Sequence, residues 1–237
     1  MSEGRKMMIG IIGAMEQEVT EILKLMDLKE QKQYLDYTFY EGTLANQPVV
    51  LLQGGIGKVN AAISATLLFS HYDIQFVMNI GSAGGLLPKQ QNVGDVVISS
   101  HVVHHDVDVT AFQRKLGEVP GMPCYFEADH SLLTKVENIL RQQNIPSHVG
   151  LIASGDQFIS LDSQVETIRK HFPEAMCAEM EAAAIAQVCY VFKKPFIITR
   201  SLSDVFQKGE NSIQFEEYLK KASYASAQMC YALISSL

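Results

Sequence analysis

Short, uninterrupted apolar runs alternate along this chain with segments whose apolar residues recur at helical spacing. The first run, residues 7–13, is typical of a strand buried on both faces of a sheet, and residues 14–26 behind it have a helical period. Further strands are predicted at 37–44, 48–53, 75–80, 93–99, 149–154 and 195–199, and helices at 58–70, 131–143, 161–171 and 213–237. This alternation predicts an α/β fold with three layers: a mostly parallel, mixed central sheet with helices on both faces.

Length and composition indicate a soluble protein that binds small molecules. The 237 residues contain no linker-like, repetitive or low-complexity tract, so we expect a single domain over residues 1–237. Hydrophobic residues make up 47% and charged residues 19%, which is ordinary for a globular protein. Because the net charge is −7 and the basic residues are dispersed, a nucleic acid is not an expected partner.

The cysteines and the N-terminus predict a cytoplasmic location. The four cysteines are far apart and lack metal-binding spacing, which favours reduced thiols in a reducing compartment. No stretch of about 18 apolar residues is present, so neither a membrane span nor a membrane partner is expected. The apolar run 7–15 ends at once in Glu16 and Glu18, which favours a first strand over a signal peptide.

Three carboxylates, Glu18, Glu181 and Asp204, follow closely on predicted strands or begin predicted helices. Ligands of α/β sheets bind beyond the carboxyl ends of strands, so we expect these side chains to lie near one another. Each could instead cap a helix or face solvent, and capping explains Glu179 as well as ligand contact does. With Arg200, the three acids suit cleavage of a glycosidic bond, which needs one acid to protonate the leaving group and one base to activate water.

Two glycine-rich segments are candidates for ligand contact. Segment 81–85 follows a predicted buried strand, and its glycines either let backbone N–H groups approach a ligand or merely form a tight turn. Segment 54–58 looks like a phosphate-binding loop, but Val59 stands where the Walker pattern needs Ser or Thr and Leu52 where it needs Gly. We therefore do not expect a nucleoside triphosphate to bind there.

The consecutive residues His104, His105 and Asp106 are of metal-ligand types. Mononuclear metal sites usually draw their ligands from separated elements, so a polar loop is favoured here. A metal-dependent phosphohydrolase is the alternative that these residues support, and chelator-sensitive activity would reveal it.

Ordered motifs span nearly the whole chain: IGIIGAMEQE at 9–18, GIGKV at 55–59, GSAGG at 81–85, DVTAF at 108–112, SGDQFI at 154–159, EMEA at 179–182 and RSLSD at 200–204. In this order the chain resembles the 5′-methylthioadenosine/S-adenosylhomocysteine nucleosidases of the purine nucleoside phosphorylase-like superfamily. The resemblance implies a nucleoside phosphorylase-like fold, a homodimer, and hydrolysis of 5′-methylthioadenosine, S-adenosylhomocysteine and 5′-deoxyadenosine to release adenine. It implies no cofactor and no metal, and it places the reaction in methionine salvage.

The resemblance also assigns catalytic roles. Asp204 is similar to the general acid that protonates N7 of adenine, held by a hydrogen bond from Ser203. Glu18 is similar to the base that activates the attacking water, with Arg200 nearby. Glu181 is similar to the carboxylate that binds the ribose 2′- and 3′-hydroxyls.

Further contacts implied by the resemblance surround the substrate. They involve Phe158 and Ile159 for the base, Met15 and Met180 for the sugar, Ser82 for both, Phe215 for the 5′-thio group, and Glu179 as a further candidate. In the family the neighbouring subunit closes the pocket, and the matching positions here are Val109, Phe112 and Pro120.

Two other functions stay open beside hydrolysis. Phosphorylases of this superfamily place arginines at the end of the first strand and before the glycine loop, whereas here Glu18 follows the first strand and Asn79 and Ile80 precede Gly81. Phosphate would meet a carboxylate, which is unfavourable, so hydrolysis is preferred. A non-catalytic nucleoside-binding protein is the second alternative, because fold alone does not fix function, but both Glu18 and Asp204 are retained. The preference among the three nucleosides is left open.

Overall fold

A computed structural model describes residues 7–207 and 211–237, with residues 211–217 described by their backbone alone. The strands are β1 (Met8–Gly13), β2 (Asp27–Tyr34), β3 (Tyr37–Leu44), β4 (Gln47–Gln53), β5 (Ile74–Gly85), β6 (Val96–His104), β7 (Phe126–Glu127), β8 (Ser147–Ser154), β9 (Ala175–Glu179) and β10 (Phe196–Val205). The helices are α1 (Glu16–Leu23), α2 (Lys58–His71), α3 (His130–Gln142), α4 (Asp162–His171), α5 (Ala182–Phe192) and α6 (Asn211–Ser235), with a short 3₁₀ helix at Thr110–Phe112.

The strands of the described residues form one mixed sheet in the order β10-β6-β8-β9-β5-β1-β4-β3-β2, with β7 beside β6. Because β10 also pairs with β5, the strands β5, β10, β6, β8 and β9 close into a ring, and β1, β4, β3 and β2 extend from it. Strand β1 pairs in parallel with β4 and β5, and β5 pairs in parallel with β10. Strand β8 pairs in parallel with β6 and β9. The predicted mixed α/β sheet is confirmed, and the ring is a feature that the alternation of strands and helices did not predict.

Helices cover both faces of the sheet, as predicted. One apolar cluster joins the sheet to α2 and α5, and a second joins it to α1, α3 and α6. In β1, Ile12 belongs to the first cluster, whereas Ile9 and Ile11 belong to the second. Side chains of a strand alternate between faces, so a strand covered on both faces has to be apolar throughout, which explains the run 7–13.

Several boundaries differ from the predictions. Strand β2 was not predicted because it is an edge strand that pairs with β3 alone and carries polar residues, which protect a free edge. Strand β6 extends to His104, beyond the predicted end at residue 99, and β9 lies where no strand was predicted. Segments 81–85 and 200–204, which lie beyond the predicted strand ends at residues 80 and 199, are the paired ends of β5 and β10.

No helix in the described ranges has the length and apolar character needed to cross a membrane.

Candidate active site

A cleft of about 680 Å³ opens at the carboxyl ends of β1, β5, β9 and β10. Its lining includes ten residues that the sequence predicted: Met15, Glu18, Ser82, Phe158, Ile159, Glu179, Met180, Glu181, Ser203 and Asp204. Sequence reasoning missed Ile56 and Gln157, whose side chains also line the cleft. Ile56 lies in segment 54–58 and Gln157 in the motif at 154–159. Their position inside these two motifs was the signal that could have identified them.

Glu18 is buried in the first turn of α1 and faces the cleft. Its Oε2 accepts hydrogen bonds from the N–H groups of Ala14 at 2.8 Å and Met15 at 3.1 Å, and its Oε1 accepts one from Ser82 N–H at 3.3 Å. Burial raises the pKa of Glu18 above its usual value, although these N–H groups and Arg200 oppose the rise. A carboxylate that is firmly held and has a raised pKa suits a general base near neutral pH.

Arg200 is 1% exposed and lies behind the floor of the cleft, so it is not among the lining residues. Its Nη2 donates to Glu179 Oε2 and to Asn79 Oδ1, each at 2.6 Å, and its Nε donates to the same Glu179 oxygen at 3.2 Å. Burial opposes the charge on Arg200, but Glu179, Glu181 and Glu18 together hold its pKa above the usual value. A cation therefore lies beside Glu179, Glu181 and Glu18, and of these three acids it is hydrogen-bonded to Glu179.

Glu179 both caps a helix and pairs with a charge. Its carboxylate accepts hydrogen bonds from Ala182 N–H at 2.9 Å, from Glu181 N–H at 3.1 Å and from the hydroxyl of Ser154, in addition to Arg200. The sequence left open whether Glu179 caps a helix or contacts a ligand. The cap is present, and the residue also lines the cleft.

Glu181 immediately precedes α5 and is buried at the side of the cleft. Its Oε1 accepts a hydrogen bond from Gly57 N–H at 2.9 Å, at the start of α2. Burial, followed by the charge of Glu179, raises the pKa of Glu181, whereas Arg200 and the Gly57 N–H group lower it. The raised pKa disfavours the charged form of Glu181, and hydrogen bonds donated by a diol would favour that form again.

Asp204 is 2% exposed near the end of β10, next to a bulge in the pairing with β5. The hydroxyl of Ser203 donates to Asp204 Oδ1 at 2.9 Å. Burial raises the pKa of Asp204 from 3.8 to about 6, although the bond from Ser203 opposes the rise. An aspartic acid that keeps its proton close to neutral pH can donate it to a leaving group.

The glycines of segment 81–85 make room for these acids. A Cβ atom at Gly81 would lie 3.2 Å from Glu18 Oε1, and one at Gly84 would lie 3.1 Å from Asp204 Oδ2. Gly81 pairs with Arg200 and Gly84 with Asp204 in the ladder between β5 and β10. The interpretation of this segment as a tight turn is therefore wrong, because its glycines lie in a strand that two carboxylates approach closely.

Besides Arg200, three further predicted contacts are not among the described residues that line the cleft. Val109, Phe112 and Pro120 lie in the loop after β6, and Phe112 is 80% exposed. A contribution to a neighbouring subunit, as the resemblance implies, is compatible with that exposure. Phe215 lies in α6, and its side chain is outside the described residues.

The His104, His105 and Asp106 side chains are engaged elsewhere. His104 Nε2 pairs with Gln187 Oε1 at 2.9 Å, the His105 ring packs against Gly155, and Asp106 binds Lys58. Burial lowers the pKa of both histidines. Within residues 7–207 and 211–237, no group of three or more histidine, cysteine, aspartate or glutamate side chains could hold a metal ion.

Comparisons with known proteins agree with this geometry. The family model of the phosphorylase superfamily matches residues 8–235. A 5′-methylthioadenosine/S-adenosylhomocysteine nucleosidase of Staphylococcus epidermidis is 46% identical over 97% of this chain and 100% of its own.

Two solved structures carry the same name. The enzyme of Neisseria meningitidis in complex with methylthio-immucillin-A has a TM-score of 0.92 at 42% identity, over 98% of this chain and 100% of its own. The enzyme of Colwellia psychrerythraea in complex with adenine has a TM-score of 0.93 at 41% identity, over 98% of this chain and 96% of its own.

Proposed function

Because the chain belongs to the 5′-methylthioadenosine/S-adenosylhomocysteine nucleosidases, a family of N-glycosyl hydrolases in the phosphorylase superfamily, we propose that it cleaves those two nucleosides and 5′-deoxyadenosine with water. The products are adenine and the ribose that keeps the 5′ substituent. The observation that carries the proposal is the group of three buried acids, Glu18, Glu181 and Asp204, around one cleft. The reaction belongs to the salvage of methionine from by-products of S-adenosylmethionine.

Asp204 acts as the general acid. The bond between C1′ and N9 breaks through a state that resembles a ribosyl cation, and a proton on N7 lets adenine leave as a neutral molecule. The pKa of about 6 supports this role, because about half of Asp204 then holds a proton at pH 6 and roughly a tenth still does at pH 7. The hydroxyl of Ser203 orients the carboxyl group.

Glu18 acts as the base that takes a proton from the attacking water. The hydroxide equivalent adds to C1′ as the bond to N9 breaks, and negative charge on Glu18 and Glu181 stabilises the positive sugar. The N–H groups of Ala14, Met15 and Ser82 fix Glu18 before the reaction begins. Arg200 stabilises the ionised form of Glu18 through its charge and acts from behind the cleft.

The rest of the lining binds the substrate. Glu181 accepts hydrogen bonds from the ribose hydroxyls, and Met15 and Met180 pack against the sugar. Phe158 stacks on adenine, and this aromatic ring lines the cleft with 47% of its surface exposed. The remaining contacts are made by Ile159, Ser82 and Glu179, which also line the cleft, and by Phe215 at the 5′ substituent.

Charge favours hydrolysis over phosphorolysis. None of the described residues that line the cleft is lysine, arginine or histidine. The nearby cation, Arg200, is already bound to Glu179 at 2.6 Å. A phosphate dianion would therefore enter an acidic cleft without a free cation to hold it, whereas water carries no such penalty.

Product analysis with 5′-methylthioadenosine in phosphate-free buffer containing a chelator tests the proposal. We expect free adenine and methylthioribose, and we expect Asp204→Asn to form neither at a comparable rate. A strict requirement for phosphate would instead identify a phosphorylase. Binding without turnover would identify a nucleoside-binding protein, and loss of activity with chelator a metal-dependent enzyme.

We also infer that the protein is a homodimer. A groove of about 1160 Å³ between α2 and α5 is lined mainly by apolar side chains, including the exposed Val59 and Val191. Val107 and Val119 line the same groove and bracket the loop that carries Val109 and Phe112. A second copy seated there would cover the apolar surface and bring its loop toward the cleft.

The substitution Val191→Asp tests the dimer. Sedimentation should show that this variant is a monomer, and kinetic assays should show a raised KM. A monomeric parent protein would contradict the inference.

A cytoplasmic location is proposed from the thiols. Cys177, Cys189 and Cys230 are buried and unpaired, which suits a reducing compartment. Burial raises the pKa of Cys230 to about 12, so that this thiol is unreactive in the folded protein.

A further inference from the structure

Two sequence motifs that the reaction does not use contact each other outside the cleft. Lys58, which ends the glycine-rich segment 54–58, binds Asp106 of the His-His-Asp segment, with 2.5 Å between Nζ and Oδ1. The second oxygen of Asp106 accepts the N–H group of Asp156 at 2.9 Å, and Asp156 Oδ1 accepts the N–H group of Lys58 at 2.7 Å. These three residues, which we name the Lys58 clasp, thus form a closed ring of hydrogen bonds.

The clasp joins two neighbouring loops that both contribute residues to the cleft lining. On one side, Ile56 lines the cleft, and Gly57 donates its N–H group to Glu181. On the other side, Asp156 is followed directly by Gln157 and Phe158, which line the cleft. None of the three clasp residues belongs to the described lining of the cleft. Within one subunit the clasp therefore acts on the cleft through the two loops, and Lys58 and Asp156 also line the groove proposed for the second copy.

The backbone conformation of Gly57 and the partial burial of Lys58 and Asp106 both favour this contact. Gly57 has a φ of +93°, which strongly favours glycine, and a Cβ atom there would lie 3.2 Å from Asp156 Oδ1. The side chains of Lys58 and Asp106 are only 17% and 23% exposed, so their charges are partly shielded from water. Burial raises the pKa of Asp106, but the bonds from Lys58 and Asp156 outweigh it and leave the pKa below its usual value.

We propose that Lys58 and Asp106 are positioning residues for nucleoside binding: they fix the loop that holds the ribose carboxylate against the loop that carries the base-stacking ring. This inference rests on the proposed function, in which Glu181 binds ribose and Phe158 binds adenine. Without the clasp, the two loops are ordered only when the substrate arrives, and ordering them then reduces affinity. Because Glu18 and Asp204 are fixed by other bonds, the chemical step is left intact.

The test compares Lys58→Met, Asp106→Asn and their double variant with a matched control. The control, Lys32→Met, removes another partly buried ion pair, between Lys32 and Glu41 at 2.6 Å, in the hairpin of β2 and β3. For each variant, kcat and KM for 5′-methylthioadenosine, the Kd for adenine and the melting temperature are measured. Sedimentation is measured as well, because Lys58 lines the groove proposed for the second copy and only a variant that sediments like the parent protein tests the clasp.

We expect Lys58→Met and Asp106→Asn each to raise KM and the adenine Kd roughly fivefold to tenfold, with kcat within twofold of the parent. The double variant should be no worse than the weaker-binding single variant, because both changes open the same ring. Lys32→Met should leave KM and Kd unchanged. If Lys58→Met melts below the assay temperature, Asp106→Asn is used alone.

An unchanged KM and adenine Kd in both single variants, or a kcat that falls while KM is unchanged, would overturn the inference. Failure of the proposed function is a separate result, since it appears as absence of turnover in the parent protein. In that case the adenine Kd, which needs no turnover, still tests whether the clasp positions the binding loops.

Discussion

The substitution Asp204→Asn should make the protein more stable and nearly inactive at the same time. Asp204 is buried near the end of β10, and its pKa is raised from 3.8 to about 6 by burial. Below pH 3.8 both the folded and the unfolded protein carry a protonated Asp204. As the pH rises toward 6, the unfolded chain releases this proton before the folded protein does, so the free energy of unfolding falls.

The size of the effect follows from the shift. One pKa unit corresponds to about 1.36 kcal/mol, so the raised pKa costs the parent protein about 3 kcal/mol of unfolding free energy at pH 8. Asparagine has nearly the same shape, can accept the hydroxyl of Ser203 and carries no charge, so it avoids this cost. We expect Asp204→Asn to melt roughly 5 °C or more above the parent at pH 8, with the difference shrinking toward pH 4.

Adenine release and thermal unfolding are measured on the same samples at pH 4, 6 and 8. Loss of the proton donor should lower kcat by about a thousandfold or more, and in the parent kcat should fall as Asp204 loses its proton above about pH 6. Asp129→Asn is the matched control. The Ser131 hydroxyl and the Leu132 N–H group lower the pKa of Asp129, so its neutral variant gains no stability at pH 8. An Asp204→Asn protein that is less stable than the parent at pH 8, or that keeps a tenth of its activity, would refute the reasoning.

Three further substitutions probe the other groups of the cleft. Arg200→Met leaves Glu179 buried without its counterion and should lower the free energy of unfolding by about 3–5 kcal/mol in urea titrations; a loss below about 1 kcal/mol would contradict the pairing. Gly84→Ala places a Cβ atom 3.1 Å from Asp204 Oδ2 and should reduce kcat about tenfold with the melting temperature nearly kept, whereas an unchanged kcat would mean that the acid has room to move. Glu181→Gln should raise KM for 5′-methylthioadenosine about tenfold or more and much less for its 2′,3′-dideoxy analogue, and equal losses with both would exclude contact with the diol.

Local sequence predicted the elements whose environment is uniform along their length. Residues 7–13 predict a doubly buried strand, and residues 9–13 are buried because both faces of β1 are covered. Helix α2 was predicted within one residue of its observed end. Strand β2 was missed because its exposed edge imposes no apolar period. The ends of β5 and β10 were missed because glycines and polar residues in a strand are favourable only when a partner strand and a cavity require them.

The candidate site likewise combines features that the sequence predicted with features that it did not predict. Glu18 and Asp204 follow predicted strands and Glu181 begins a predicted helix, which was enough to expect all three in one cleft, and all three line it. Their pKa shifts could not be predicted, because burial sets the shifts and depends on every element around the cleft. Glu179 was ambiguous because its two functions involve Arg200, which is 21 positions away, and the adjacent helix start.

The sequence by itself determined the α/β class, the family and the acids of the cleft, since motifs and hydrophobic periods are local properties of the chain. Only the tertiary structure decided that the sheet closes into a ring, that Arg200 lies behind the cleft rather than in it, and that Lys58 meets Asp106. The physical reason is that such contacts join segments far apart in sequence. Lys58 and Asp106 each resembled part of a different ligand site until the fold paired them, because a side chain's charge and spacing do not specify which distant group will neutralise it.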